Sequence, residues 1–308
     1  SQGGTLEVEL TGLASASDGV VLARTTTPSG TGRAGLAYPA PRAQDLATEA
    51  AVLYGLRENA SDRTNLALLS GATTGTTTLR VTLVSGSKSF VLPETVALEP
   101  GEWLQLDSVL ARAGLTSGWA VVERVSGPGP FWAYAVFNDA GTNDGSYVAP
   151  SRLGRPAQTL VVPAVVETPT FESELVLANP GPAPVTARLL WVETLATGKP
   201  RRFEAAEPLA AGEQKILGSF VDHLRARVPS IGARGGRYSG ALFVTFETAA
   251  GRKAPGYAGA RTAAPAEEGG AYGLFTPGTG LAECAFREAW LFGLRQDDSA
   301  RTNLALVN

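Results

Sequence analysis

Apolar and polar residues alternate along several stretches of the chain. Leu6-Glu7-Val8-Glu9-Leu10 and Thr78-Leu79-Arg80-Val81-Thr82-Leu83-Val84 show the period of two that belongs to a strand with one wet and one buried face. Leu160 to Val166, Leu242 to Phe246 and Leu304 to Val307 are apolar throughout or nearly so, and read as central strands. Helical spacing is confined to two short stretches, 108–113 and 219–228. In the second, Phe220, Val221, Leu224 and Val228 form one stripe. Ser219 with Asp222 reads as a capping box, which starts this helix at Phe220.

The pattern repeats. Gly55-Leu56-Arg57 and Arg63-Thr64-Asn65-Leu66-Ala67-Leu68 recur as Gly293-Leu294-Arg295 and Arg301-Thr302-Asn303-Leu304-Ala305-Leu306, and a degenerate copy begins at Ser173-Glu174-Leu175. Leu98-x-x-Gly101-Glu102 followed by Ser108 matches Leu209-x-x-Gly212-Glu213 followed by Ser219. A third family aligns Val21 to Thr26, Tyr134 to Asn138 and Tyr257 to Thr262, each leading through a Gly-rich turn to a strand and a proline. The repeat unit is therefore about 110 to 130 residues, the size of a sandwich domain.

This order predicts an all-β chain of tandem immunoglobulin-like β-sandwich units with one short helix per unit. Complete units are expected at 43–152 and 157–279, with 1–42 as the C-terminal strands of an incomplete unit and 283–308 as the opening strands of a further one. Either the chain, with Ser1 as a cleavage boundary, is cut from a longer array, or neighbouring molecules complete its ends. On the second reading Thr302, Asn303, Leu304, Ala305, Leu306 and Val307 form an inter-subunit strand, and self-association is head-to-tail.

The run Leu175 to Leu190, with its Asn179-Pro180-Gly181 turn, resembles the opening hairpin of bacterial extracellular immunoglobulin-like modules. The fuller pattern of Thr-Asn-Leu-Ala-Leu-Val-Asn, Leu-x-x-Gly-Glu, Ala-Arg-Thr and Tyr-Gly-x-x-x-Pro resembles uncharacterised tandem repeats of large secreted or cell-surface bacterial proteins, acidobacterial ones among them. The resemblance implies placement outside the cell and brings no catalytic residues. The middle unit departs from it at Ser173-Glu174 and at Asn138-Asp139.

Composition narrows the chemistry. With 44% hydrophobic and 18% charged residues, 36 Gly and 20 Pro, the chain is globular and dense in turns. A net charge of −3 without basic runs argues against nucleic acid, and no apolar run is long enough to span a membrane. The single cysteine, Cys284, excludes internal disulfides and reads as an inert, partly buried thiol in the linker-like Leu281 to Phe286. His223, the one histidine, sits beside Asp222 on the predicted helix and reads as solvated rather than as part of a triad. The loop 138–145, and Asp297-Asp298 with its counterpart 59–62, carry oxygen ligands suited either to calcium or to tight turns. Trp103, Trp119, Trp132, Trp191 and Trp290 offer core packing or a sugar-stacking platform. Thr73 to Thr78 and Asn59-Ala60-Ser61 offer glycan sites on exposed loops, with a flexible hairpin tip the plainer reading for the first. Arg63 and Arg301 are placed to pair with Glu58 and with Asp297 or Asp298.

Neither a cofactor nor a metal is expected. A structural or adhesive protein, in a filament or stalk, is the leading expectation, with contact to a cell surface or polysaccharide. The alternative is a carbohydrate-binding accessory module of a secreted enzyme. Far-ultraviolet circular dichroism should accordingly show a strand-dominated spectrum, and helix at about a third of residues would contradict the reading.

Overall fold

The computed structural model describes residues 4–15, 18–29, 32–152, 154, 156–267, 269–285, 287–298 and 300–308. Ser1 and Phe286 lie outside the described residues. The chain is all-β, 50% strand and 6% helix, and every pairing is antiparallel.

An N-terminal hairpin joins β1 (Leu22–Ser29) to β2 (Gly32–Pro39). Then come β3 (Ala50–Arg57), β4 (Asp62–Ser70), β5 (Thr77–Ser85), β6 (Lys88–Val91), β7 (Val96–Leu98), β8 (Trp103–Leu106), β9 (Ser117–Ser126), β10 (Phe131–Asp139), β11 (Gly145–Val148) and β12 (Ser151–Arg152). They form two sheets, ordered β11-β10-β4-β8 and β12-β3-β9-β5-β6, with β7 also on β5. The next strands are β13 (Leu160–Glu167), β14 (Glu172–Ala178), β15 (Val185–Glu193), β16 (Arg201–Leu209), β17 (Gln214–Leu217), β18 (Tyr238–Thr248), β19 (Tyr257–Pro265), β20 (Ala271–Pro277) and β21 (Thr279–Gly280). Their order, β20-β19-β14-β17 and β21-β13-β18-β15-β16, reproduces that of the first set, and Glu167↔Glu172 is the single pair joining the two halves.

Register repeats as closely as order. β3 skips between Leu53 and Leu56 against β9, and β13 skips between Val162 and Val165 against β18, 109 residues on. Gly118 and Gly240 occupy one place in the two sets. A Cβ there would lie 2.3 Å from the Val84 carbonyl oxygen and 2.0 Å from that of Val192, so the close strand approach excludes any side chain. In β5 and β15 alternate residues are buried, as the period of two predicts.

Where β3 passes to β4 the chain leaves one sheet for the other, so Arg57 loses its ladder partner on that side. The Thr64 hydroxyl replaces it, accepting from the Arg57 N–H (3.0 Å) and donating to the Arg57 carbonyl (2.6 Å). Ser173 does the same for the Val166 N–H (2.9 Å), and Thr302 for both groups of Arg295 (2.9 Å each). The Ser-for-Thr departure in the middle copy therefore preserves the group that acts. The turns between match too: Asn59 and Thr168 each accept two N–H groups with a side-chain oxygen, and the Asn59 N–H to Asp62 carbonyl bond returns as Thr168 to Phe171 and Asp297 to Ala300.

Several expectations are corrected. Leu6 to Leu10 are exposed and form no strand, having no sheet beside them to bury their apolar face. Within a single copy of the chain, the described residues of 301–308 form no ladder, and those of 283–308 make the isolated Asp297↔Ala300 bridge. The helix over 108–113 reduces to a single turn at Ala111–Ala113, and the second is α1 (Phe220–Arg225), followed by Pro229. Ser219 does not cap it. Its backbone is left-handed (φ 46°, ψ 58°), as is that of Ser108 (φ 43°), and Asp222 pairs with Arg225 and Arg234 instead. Pairing also aligns Trp132, not Tyr134, with Tyr257, since Leu69 faces Trp132 and Ala178 faces Tyr257.

Thr64→Val should destabilise by about 1–3 kcal/mol, because it orphans a buried N–H and carbonyl, while Thr64→Ser should retain most of the stability. Denaturant titration of the two variants measures the difference.

Candidate assembly interface

Two strand sets meet along strands that are buried on both faces. In β14 and β19, Leu175, Leu177, Ala258 and Ala260 fill the core of the second set, while Val176, Ala178 and Tyr257, with Phe275 of β20, join that of the first. Tyr257 stacks on Tyr54 with ring centroids 4.4 Å apart, and Tyr54 also meets Trp119 at 5.6 Å. The Trp119 indole N–H donates to the Gly212 carbonyl (3.0 Å).

The skip in β3 leaves backbone groups that its neighbours do not serve, and Gly55 adopts φ +80° there. Gln214 of β17 meets that need. Its Oε1 accepts the Gly55 N–H (2.7 Å), and its Nε2 donates to the Leu56 carbonyl (3.2 Å) and the Ser117 hydroxyl (3.1 Å). One side chain of the second set thus completes the backbone of the first.

Charge closes the rim. Arg57 pairs with Glu174 at 2.5 Å, and the Arg57 and Arg261 guanidinium groups lie 4.3 and 5.5 Å from the Phe137 ring centroid. The loop 138–145 clamps β20. Asp139 accepts N–H groups of Gly141, Thr142 and Ala271 (2.9, 2.8 and 2.9 Å), and Asp144 accepts that of Gly273 (2.8 Å). Burial raises the Asp144 carboxyl above the usual range, against the opposing pull of the Gly273 N–H and Arg261. Burial likewise raises Asp62, with Arg57 and Arg261 opposing. Among the described residues no group of three or more His, Cys, Asp or Glu side chains is placed to hold a metal ion.

The other candidates are scattered. His223 keeps partial exposure on α1, with its Nε2 2.8 Å from buried Glu207, which also pairs with Arg227, and burial lowers its pKa with Lys215 adding to the shift. Cys284 is exposed rather than partly buried. Arg63 donates to Asn143 (3.0 Å) instead of pairing with Glu58, whose carboxylate accepts the Thr64 N–H (3.3 Å). Trp191 is in the second core, and Trp290 is 74% exposed. Trp103 donates to the Tyr134 hydroxyl (3.2 Å) beside a knot of Tyr38, Tyr134 and Tyr147, whose centroids lie 5.3 to 5.9 Å apart. Burial pushes the Tyr147 hydroxyl up to about 12. Because Tyr38 belongs to β2, this knot ties the N-terminal hairpin to the first set.

Thr302 to Val307, the predicted inter-subunit strand, are exposed. Even so, Ala305 to Asn308 line one groove with Pro163, Ala164, Leu190, Val192, Ala241 and Phe243 on the outer face of the second set. Gln214, Asp139 and Asp144 were not legible as interface residues, since the partners they reach across the interface (Gly55, Leu56 and Ser117 for Gln214, Ala271 for Asp139, Gly273 for Asp144) are far away in sequence; the repeat of Gln214 as Trp103 carried no hint of a shared role. No protein-family model matches the chain, and no curated protein is significantly similar to it.

Asp144→Asn should keep the Gly273 bond and lose little stability, whereas Asp144→Ala should cost about 1–3 kcal/mol. Since the folded carboxyl titrates above its unfolded value of 3.8, its contribution is fully present below that value and is lost as pH rises through the folded one. Denaturation curves from pH 3 to 7 should show this loss in the wild type, and less of it in Asp144→Asn.

Proposed function

We propose that the chain is a non-catalytic structural or adhesive protein of the cell exterior, built from immunoglobulin-like β-sandwich units at 43–152 and 157–279 that stack sheet on sheet. The observation that carries this reading is the repetition of strand order, register and hydroxyl latch, together with an interface whose polar groups serve backbone rather than substrate. What the sequence repeats is what the stack uses: the hydroxyl at 64, 173 and 302, and the Glu102 and Glu213 carboxylates that each accept a turn N–H (2.8 and 2.6 Å). His223 and Arg227 hold α1 against β16 through Glu207.

A second reading, a polysaccharide-binding module, draws on the half-buried aromatic knot around Tyr134. Tyr38 packs edge-on against both Tyr134 and Tyr147, and those two tilt against each other, so the rings are engaged with one another, which favours the structural reading.

Purified protein should turn over no glycoside, ester, peptide or phosphate ester, and His223→Ala should leave that unchanged while lowering stability. Turnover lost in the variant would overturn the proposal. Affinity electrophoresis in polysaccharide gels should show unretarded migration, and retardation relieved by Tyr134→Ala would favour the second reading.

A further inference from the structure

The one histidine stands where two neighbours make opposite demands on a single nitrogen. His223 Nε2 lies 2.8 Å from Glu207 Oε1 and 2.9 Å from Arg227 Nη1, and that guanidinium is itself paired with the same carboxylate oxygen. A guanidinium can only donate, and an ionised carboxylate can only accept. With Nε2 bare, the ring accepts from Arg227 and leaves Glu207 to the arginine. With a proton on Nε2, the ring donates to Glu207 and turns an N–H toward an arginine that offers no acceptor. Glu207 is only 3% exposed, so its carboxylate has no water to turn to, whereas the side chains of His223 and Arg227 keep 29% and 44% of their surface.

The triangle pins the end of α1 to an edge strand. Glu207 lies on β16, the last strand of its sheet, and Arg227 lies just beyond α1. There the N–H groups of Ala226, Arg227 and Val228 bond back to the carbonyls of Asp222, Leu224 and Leu224 (3.1, 3.0 and 2.9 Å). This turn lays Val228 against the second core and leads through Pro229 to buried Ile231.

The other charges around α1 serve other partners. Arg225 pairs with Asp222 and with Glu167 of β13, and Arg234 pairs with Asp222 and with Glu172 of β14. Lys215 of β17 also acts on the ring; its ammonium donates to the Pro208 carbonyl and lies 3.9 Å from Glu213. A proton added to His223 therefore sets an imidazolium beside Arg227 and Lys215 with one buried carboxylate between them. Burial lowers the His223 pKa and Lys215 lowers it further, the direction that this crowding requires.

We propose that His223, Glu207 and Arg227 form an acid-released clasp: a proton on His223 Nε2 takes Glu207 over and drives Arg227 off it, which frees the turn 226–228 from β16 and loosens its cover over the second core. The clasp goes beyond the structural reading and does not depend on it. At neutral pH the ring is uncharged and the turn is held. Because the folded ring titrates below its ordinary value of 6.5, the stabilisation is fully present above that value and is lost as pH falls through the folded one.

The chain holds no second histidine, so the ring signals of the full-length protein in a proton NMR titration belong to His223. Their midpoint should lie below 6.5, and Arg227→Gln, which removes the competing cation, should raise it. Hydrogen-exchange protection at Arg227 and Val228 should fall at least about tenfold between about pH 7.5 and pH 5.5 in the wild type and stay level in His223→Gln. A wild-type midpoint at or above the ordinary value, a midpoint that Arg227→Gln leaves in place or lowers, or protection that is level in the wild type or falls equally in both proteins would each overturn the clasp.

Discussion

The structure depends on strands that have no solvent face. β14 and β19 give alternate side chains to two cores, so neither strand set is finished without the other. Removing the second set would expose Tyr54 and Trp119 and leave the Gly55 N–H and Leu56 carbonyl without Gln214. Apolar area and backbone pairing act together here. The aromatic stack excludes water, and exclusion of water is what makes the Gln214 bonds costly to lose.

A sheet-on-sheet stack of this kind needs its strands bent at fixed places, and the chain fixes them with few devices. The skip at Leu53/Leu56 and at Val162/Val165 re-aims each first strand, and a hydroxyl seven residues beyond Arg57 and Val166 seals the turn into the facing sheet. Because these devices are local, they persist where the sheet does not: the Thr302–Arg295 latch forms although 302–307 has no ladder. The same economy governs charge. Asp139 and Asp144 hold β20 by its N–H groups, so acidic loop residues that resemble an ion site serve as acceptors for protein donors.

Local pattern made much of this legible. Alternation located β5, the apolar runs located β13 and β18, and the stripe of Phe220, Val221 and Leu224 located α1, because each depends on burial of one face by near neighbours. The recurrence of Thr64, Ser173 and Thr302 marked the repeat, while their role at the turns shows only in the hydrogen bonds. What stayed hidden was set by distant partners. Leu6 to Leu10 alternate as a strand should, yet no sheet lies beside them. The Ser219–Asp222 pair has the spacing of a cap, but a left-handed Ser219 and two arginines draw Asp222 away. Tyr134 and Tyr257 look equivalent by identity, and only the ladders with Leu69 and Ala178 show that Trp132 holds the place.

If β3, β14 and β19 bind the two sets into one cooperative body, differential scanning calorimetry of the full chain will show a single transition, with the calorimetric enthalpy equal to the van't Hoff enthalpy. Two separable transitions, one surviving when Gln214→Ala and Tyr257→Ala unfold the other, would contradict the account.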